Sequence, residues 1–267
     1  MSADSAHQIP RWVEPGEPLP DPLEACRAGQ TDSPNTDSQQ LWPAGLLAAG
    51  HDLSAERLIE AYRMGLFPWY SEGQPVLWWS PDPRMVLMTD QFKLRRSLVK
   101  TIRQWRRSRR YRVTLNHSFA AVMNACAAPR ENQDGTWITP EMFQAYNELH
   151  QLGNALSVEI WRLERQHAPL ESAELIGGLY GVSIGRMFFG ESMFALERDA
   201  SKIALASLVD LLRRHHMPML DCQQNTGHLA SLGAREITRD DFLCGIKHLV
   251  SEQSPDWSSM SIEFPSV

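Results

Sequence analysis

The chain lacks long apolar runs, a recognisable signal segment and closely spaced cysteines. No apolar stretch approaches the about 20 residues that a membrane helix needs, and Met1–Pro10 has no basic and apolar signal pattern. We therefore expect a cytoplasmic protein with no membrane partner. Its cysteines are scattered without a CxxC pair, so nothing indicates a disulfide framework; they are Cys26, Cys126, Cys222 and Cys244.

Several familiar catalytic signatures are also missing. The sequence contains neither a GxSxG element nor a phosphate-binding P-loop, which argues against a serine hydrolase and a P-loop nucleotidase. His215, His216, Cys222 and His228 are candidate metal ligands by type, but their spacing matches no known zinc pattern. Cys222 is a candidate nucleophile, although a small buried side chain is the simpler interpretation.

Acidic residues are absent from one basic segment, Lys93–Arg112, which contains ten Lys or Arg. The remaining 247 residues hold 16 basic and 32 acidic residues, so a net charge of −6 hides a strong asymmetry. The pattern predicts a helix, Phe92–Arg109, with an inner face of Phe92, Leu98, Ile102 and Trp105. A basic face on an acidic protein indicates a polyanion contact, and the alternative is a solvated helix surface.

The composition divides the chain into three parts. Residues 1–40 are rich in Pro, Ser, Asp, Gln and Glu, so we expect an extension that is disordered or loosely ordered. Ile9–Val13 is a candidate edge strand within it. A chain that begins near Thr31 is accordingly predicted to fold. Residues 41–84 form a small aromatic-rich domain, and residues 85–267 form an α/β domain with helices between strands.

The small domain carries an aromatic segment, FPWYSEGQPVLWWSPDPR, which begins at Phe67. It places five aromatic residues among several prolines, and some of these rings must belong to the core. A rigid, exposed ring beside a basic face is what stacking on an unpaired base requires, and such stacking contributes about 1–3 kcal/mol per base.

The α/β domain is organised around Leu175–Gln223. It predicts a strand, Ile176–Ile184, and a short strand, Met187–Phe189, which Gly190-Glu191-Ser192 breaks. A helix, Ala200–His215, and a strand, Met217–Gln223, follow. Alternation along that last strand places Asp221 and Gln223 on one face and Cys222 on the other. A polar strand end facing water would give the same pattern.

A carboxylate at Asp221, an amide at Gln223 and a second carboxylate at Glu191 suit acyl transfer from an activated donor to an amine. The amine must lose a proton, and an α-amino group has a pKa of about 8. A carboxylate accepts or orients that proton, while an amide fixes the nucleophile or the carbonyl. The sequence leaves open whether Asp221 is a base or a positioning group.

The chain resembles the leucyl/phenylalanyl-tRNA–protein transferase family of bacteria over Leu41 to about Phe242. The resemblance rests on long, unusual motifs in a fixed order. They are FPWYSEGQPVLWWSPDPR, Gly135–Thr139 (GTWIT), Gly177–Gly181 (GGLYG), Gly190–Phe194 (GESMF), Ala200–Lys202 (ASK), Asp221–Gln223 (DCQ) and His228–Ala234 (HLASLGA).

The resemblance implies an acetyltransferase-like (GNAT) catalytic domain behind a small N-terminal domain. It implies transfer of Leu or Phe, and less readily Met, from aminoacyl-tRNA to proteins with N-terminal Arg or Lys. The product carries a destabilising residue for N-end rule degradation. No metal or organic cofactor is expected, and the family expectation is a monomer.

The resemblance also implies residue roles. Asp221 and Gln223 act at the reacting amine, and Glu191 lies near the acceptor's basic side chain or amine. Trp69 and Trp137 hold the terminal adenosine. The pocket for the donor side chain is lined by Leu179, Phe188 and Leu220. The basic segment contacts the tRNA backbone through Lys93, Arg95, Arg96, Lys100, Arg103, Arg106 and Arg107.

Two other classes of function remain. An acetyl-CoA-dependent N-acetyltransferase of the same fold needs a Gly-rich pyrophosphate loop before the long helix, where this chain has Leu196–Ser201 without a glycine. A non-catalytic RNA-binding module would use the basic helix and the aromatic rings but neither Asp221 nor Gln223. The chain also departs from the family at Thr226, where Asn is frequent.

Overall fold

Two β-sheets form the framework of the chain in a computed structural model, which describes residues 10–27, 42–128 and 138–267. The small sheet has the strand order β1-β2-β4-β3. β1 is parallel to β2, and the other pairs are antiparallel. Its strands are β1 (Arg11–Val13), β2 (Leu46–Gly50), β3 (Phe67–Pro68) and β4 (Val76–Trp79).

The large sheet has seven strands in the order β11-β5-β10-β9-β8-β7-β6. Only the pair of β9 and β10 is parallel among its described strands. The strands are β5 (Arg84–Met88), β6 (Tyr111–Leu115), β7 (Ala155–Arg162), β8 (Glu174–Ile184), β9 (Met187–Ala195), β10 (Met219–Gln223) and β11 (Arg235–Ile237). The mixed α/β class predicted from the sequence is confirmed.

Helices cover both faces of the large sheet, and one more packs with the small sheet. They are α1 (Ala55–Arg63), α2 (Arg96–Ser108), α3 (Phe119–Ala127), α4 (Pro140–Gln151), α5 (Ala200–Arg214), α6 (Gly227–Ser231) and α7 (Arg239–Leu249). None of these helices, within the described parts of the chain, is long and apolar enough to cross a bilayer.

The hydrophobic core has two halves, one on each face of the large sheet. One half joins the small sheet and α1 to α3, α4 and α7, and the other joins α2 and α5. β10 contributes to both, because Met219 belongs to the first and Leu220 to the second. The beginning of β10 is therefore packed on both faces.

The first described residues are part of the core, which corrects the expectation of a loose extension there. Val13, Leu19 and Ala25 are buried in the first half of the core. Arg11–Val13 forms the predicted edge strand, and the backbone N–H of Cys26 donates to the carbonyl of Leu46. The described residues before Thr31 therefore contribute to the core, which the polar composition concealed behind a few well-spaced apolar anchors.

Two strands of the central unit differ from their predicted form. β9 continues through Gly190–Ser192, because a register shift at Tyr180/Gly181 lets β8 keep pairing with it. β10 has an irregular register between Asp221 and Gln223. Strict alternation of faces therefore fails at the end of β10, where Gln223 has a φ of 61°.

Candidate active site

A pocket of about 400 Å³ opens where β9 and β10 stop pairing. The two strands pair only at Leu220–Phe188 and Asp221–Phe189. Beyond these pairs, Gly190–Met193 of β9 and Cys222 and Gln223 of β10 line the pocket. The predicted catalytic strand and the loop-like GESMF segment thus meet at one cavity.

The inner wall of the pocket is apolar. Leu179, Phe188 and Leu220, the predicted donor pocket, all line it and are almost fully buried. Two leucines of α5, Leu205 and Leu208, complete the wall and were not predicted. Such a wall accepts an apolar side chain and penalises a charged one, which would lose its hydration.

A hydrogen-bonded cluster surrounds the Glu191 carboxylate. Tyr62 of α1 donates its hydroxyl to Oε1 at 2.7 Å, and Tyr146 of α4 donates to Oε2 at 3.2 Å. The two tyrosine hydroxyl oxygens also lie in close contact, and their two protons are shared among these three contacts. Gln223 donates its side-chain N–H to Oε1 at 3.0 Å. The cluster joins the small sheet's helix to the large sheet at the pocket.

This environment raises the pKa of Glu191 to about 7. Burial is the main cause, and the nearby charge of Asp221 adds to it, while the hydrogen bonds from Tyr62, Tyr146 and Gln223 oppose it. The same burial, together with the Glu191 charge, raises the pKa of both tyrosines well above the usual range. Glu191 consequently changes charge near neutral pH while the phenols stay protonated.

Asp221 lies in the pocket wall but is 0% exposed. Arg84 of β5 donates to both of its oxygens, from Nε to Oδ1 at 2.9 Å and from Nη2 to Oδ2 at 2.6 Å. The backbone N–H of Gln223 donates to Oδ1 at 2.9 Å. A carboxylate held in this way is better suited to fixing its neighbours than to receiving a proton from a mobile substrate.

Cys222 is not turned away from the pocket as predicted, since it helps to line it. The irregular register of β10 explains the difference, because Cys222 has no partner on β5 where Asp221 and Gln223 do. Burial, with the charge of Asp221, raises the pKa of its thiol far above the usual range. The thiol is therefore a weak nucleophile at neutral pH.

Two rings of the aromatic segment line the pocket, Phe67 and Trp69, and Trp69 is the exposed one. It is 43% exposed and lines the pocket, whereas Phe67, Tyr70, Trp78 and Trp79 are buried. The Trp79 ring lies 5.7 Å from the Trp69 ring, and the Trp79 indole N–H donates to the Trp69 carbonyl at 2.7 Å. Trp69 is thus a supported aromatic platform. Trp137 lies outside the described residues.

The basic segment presents a row of exposed cations along α2. Arg96, Lys100, Arg103 and Arg107 line a groove on its surface, and Leu98, Ile102 and Trp105 face the core as predicted. None of the seven predicted backbone contacts forms an ion pair with a described acidic residue. Their charges are available to an external polyanion.

Comparison with known proteins gives two matches to family models. Residues 51–82 match the leucyl/phenylalanyl-tRNA protein transferase N-terminal domain, and residues 86–247 match the leucyl/phenylalanyl-tRNA protein transferase model. The chain belongs to the leucyl/phenylalanyl-tRNA–protein transferase family. The family and the aminoacyltransferase class predicted from the sequence are both confirmed.

Curated relatives with this family name match the chain over most of their own length. The protein of Paraburkholderia phytofirmans is 51% identical over 92% of this chain and 93% of its own. That of Burkholderia ambifaria is 52% identical, covering 92% and 89%. Among solved structures, L-PGS from Bacillus licheniformis is 12% identical with a TM-score of 0.35, covering 68% of this chain and 55% of its own.

Three polar side chains of this family member's site were missed from the sequence. Tyr62, Arg84 and Tyr146 lie 129, 137 and 45 positions from their partners Glu191, Asp221 and Glu191. Tyr62 and Tyr146 lie among the buried residues of amphipathic helices, and nothing local distinguishes them from core. Arg84 offers a weak signal, because it is a charge at the start of a strand that is otherwise apolar.

Proposed function

We propose that this chain transfers Leu or Phe, and less readily Met, from aminoacyl-tRNA to the N-terminal α-amine of proteins that begin with Arg or Lys. The product would enter N-end rule degradation. The observation that carries the proposal is the single pocket that combines an apolar wall, an exposed indole and a carboxylate–amide cluster. These are the parts needed for an apolar aminoacyl group, a terminal base and a cationic acceptor.

The donor end occupies the apolar wall and Trp69. Leu179, Phe188 and Leu220 bury the aminoacyl side chain, and burying a Leu or Phe side chain is favourable by about 1.5–3 kcal/mol. Trp69 stacks on the terminal adenosine. Trp137 is proposed as its second aromatic partner on the strength of the family resemblance alone.

The acceptor end occupies the cluster of Glu191 and Gln223. An ionised Glu191 attracts the acceptor's ammonium or basic side chain, and the Gln223 amide orients the amine. In the reaction, the neutral amine attacks the ester carbonyl carbon, the new C–N bond forms and the bond to the ribose oxygen breaks. The proton that the nitrogen loses passes to that leaving oxygen. Asp221 acts here as a positioning group, because Arg84 and Gln223 already occupy it.

The tRNA body lies along α2. The proposed backbone contacts are Lys93, Arg95, Arg96, Lys100, Arg103, Arg106 and Arg107. From Arg96 to Arg107 the row spans about 16 Å at 1.5 Å per residue. The basic segment begins beside the pocket-lining helix α6, since the backbone N–H of Lys93 donates to the carbonyl of Leu232, which follows that helix. After α2 the chain enters β6, at the opposite edge of the sheet from β11.

Transfer of labelled Leu from Leu-tRNA to a peptide that begins with Arg tests the proposal directly. We expect transfer to Arg- and Lys-initiated peptides and none to a matched peptide with an acetylated N-terminus. Acetyl-CoA serves as the competing donor. Acetylation of the peptide without leucylation would favour the acetyltransferase alternative, and binding of tRNA without any transfer would favour the RNA-binding module.

The RNA surface is tested by comparing full-length aminoacyl-tRNA with a short aminoacylated analogue of its 3′ end. Arg103→Glu and Arg107→Glu should raise KM for the full-length donor and leave the short analogue unaffected. Each lost phosphate contact should also flatten the log–log salt dependence by about 0.7–0.9. Glu171→Gln, in the exposed 3-10 turn Leu170–Ser172, is the control. An unchanged salt slope would mean that α2 is only a solvated surface.

The acetyltransferase-like fold, the cytoplasmic location and the monomeric state belong to the same proposal. One parallel pair joined by the crossover helix α5, inside an otherwise antiparallel sheet, supports that fold. The donor, an aminoacyl-tRNA, is a cytoplasmic molecule, which supports the location. Sedimentation of the purified chain tests the monomer.

A further inference from the structure

Arg84 is a fully buried cation that pairs with Asp221, a residue of the pocket wall. Both Arg84 and its partner Asp221 are 0% exposed. The guanidinium carbon lies 4.8 Å from the ring centroid of Phe67 and 4.4 Å from that of Phe242. These rings come from the small sheet and from α7, so parts distant in the chain converge on one guanidinium.

A continuous chain of contacts leads from this guanidinium to the pocket. Arg84 donates to both oxygens of Asp221, and Asp221 accepts the backbone N–H of Gln223 at 2.9 Å. Gln223 has a left-handed backbone with a φ of 61°, which is uncommon for a residue other than glycine. Its side-chain N–H then reaches Glu191 at 3.0 Å.

We propose that Arg84 is a positioning residue for aminoacyl transfer. It fixes the Asp221 carboxylate, which holds Gln223 in the left-handed conformation that aims its amide at Glu191 and at the acceptor amine. This inference rests on the proposed function and assigns to that site a residue that does not touch the substrate.

The ion pair of Arg84 and Asp221 is not explained by a contribution to stability. A buried ion pair is often replaceable by apolar residues of similar size without loss of stability, because both charges lose their hydration. The remaining nitrogen, Nη1, is buried and makes no hydrogen bond to any described residue. The geometry of Arg84 serves one partner, Asp221, through a two-point contact that fixes the orientation of a carboxylate.

The test uses the full chain with Arg84→Met and Arg84→Lys. Methionine keeps an unbranched apolar stem between the two rings, and lysine keeps the charge but not the two-point contact. We expect Arg84→Met to lower kcat by about 10²-fold, the cost of a misplaced reacting group, and to leave KM for aminoacyl-tRNA unchanged. Arg84→Lys should recover part of the loss.

The pH profile separates positioning from a merely structural role. In Arg84→Met, Asp221 becomes a buried carboxylate without its cation, which disfavours its ionised form. The ratio of variant to wild-type kcat should therefore rise with pH between 6 and 9. This rise of the kcat ratio with pH should be absent in the double variant Arg84→Met/Asp221→Asn.

Arg57 provides the matched control. It is also buried and pairs with two carboxylates, Asp52 and Glu60, but neither carboxylate lines the pocket, whereas Asp221 does. Arg57→Met should lower the stability of the fold and leave the ratio of variant to wild-type kcat independent of pH. If Arg84→Met does not fold, Arg84→Lys decides the question through its kcat.

Wild-type kcat in folded Arg84→Lys and Arg84→Met across this pH range would overturn the inference. A loss that only tracks the unfolded fraction, as for Arg57→Met, would overturn it too. Absence of transfer by the wild-type chain would instead refute the proposed function, so the two failures are distinguishable.

Discussion

Replacing Glu191 with Gln should change how the stability of the fold depends on pH. The folded protein raises the pKa of Glu191 from 4.5 to about 7. At 1.36 kcal/mol per unit, that displacement corresponds to about 3 kcal/mol. A carboxyl group with a raised pKa stabilises the folded state when it is protonated. Its contribution is complete below pH 4.5 and is lost as the pH rises through 7.

The free energy of unfolding of the wild type should therefore fall relative to Glu191→Gln by up to about 3 kcal/mol between pH 4.5 and pH 8. Glutamine keeps the shape of the side chain, and the hydroxyls of Tyr62 and Tyr146 can reorient toward its amide. Urea unfolding of both proteins at several pH values measures the difference.

The control is Glu72→Gln, which removes an exposed carboxylate from a loop. Its unfolding curves should follow those of the wild type at every pH. If the gap between wild type and Glu191→Gln also stays constant to within about 0.5 kcal/mol, the size of an ordinary surface effect, then Glu191 is ionised normally in the folded chain. Burial in the fold would then not raise its pKa.

Other expectations concern the acceptor, the platform, the N-terminal core and the thiols. KM for an Arg-initiated peptide should fall as the pH rises through 7, because Glu191 gains its charge there. A KM that does not change with pH would show that Glu191 does not bind the acceptor. Trp69→Ala should weaken donor binding by about 1–3 kcal/mol with little change in melting temperature; unaltered KM for the donor would contradict stacking. A chain that begins at Thr31 should lose several kcal/mol of stability, since about 1.5–3 is lost per buried aliphatic anchor; an unchanged urea midpoint would show those anchors to be dispensable. At pH 8 an alkylating reagent should modify exposed Cys244 long before Cys222, and equal rates would contradict the raised pKa of the Cys222 thiol.

Regular elements could be predicted because their signals are local. The helical spacing of apolar residues located α5, Ala200–Arg214, within one residue. Ser54, a residue type that favours N-caps, accepts the backbone N–H of Arg57 at the start of α1. These outcomes depend on periodicity and capping, which act over a few residues.

The rest depended on contacts between distant parts of the chain. Gly190–Ser192 looks like a strand break, but pairing with β8 overrides the low strand preference of glycine. The site's composition was partly foreseen, since Asp221, Gln223 and Glu191 do converge on one pocket. The environments of these side chains were not foreseen, because Arg84 and Tyr62 reach them only through the tertiary fold. In the structure, Asp221 is buried and paired with Arg84, whereas Glu191 has a pKa raised to about 7.

The row of exposed cations on α2 gives the molecule one basic side and an acidic remainder. The rest of the chain holds twice as many acidic as basic residues, so an approaching polyanion is repelled from most directions and drawn toward one. Long-range attraction of this kind orients partners before they touch and weakens as salt is added. An RNA would then arrive already turned toward the pocket, and the selection among orientations would take place in solution, ahead of any contact.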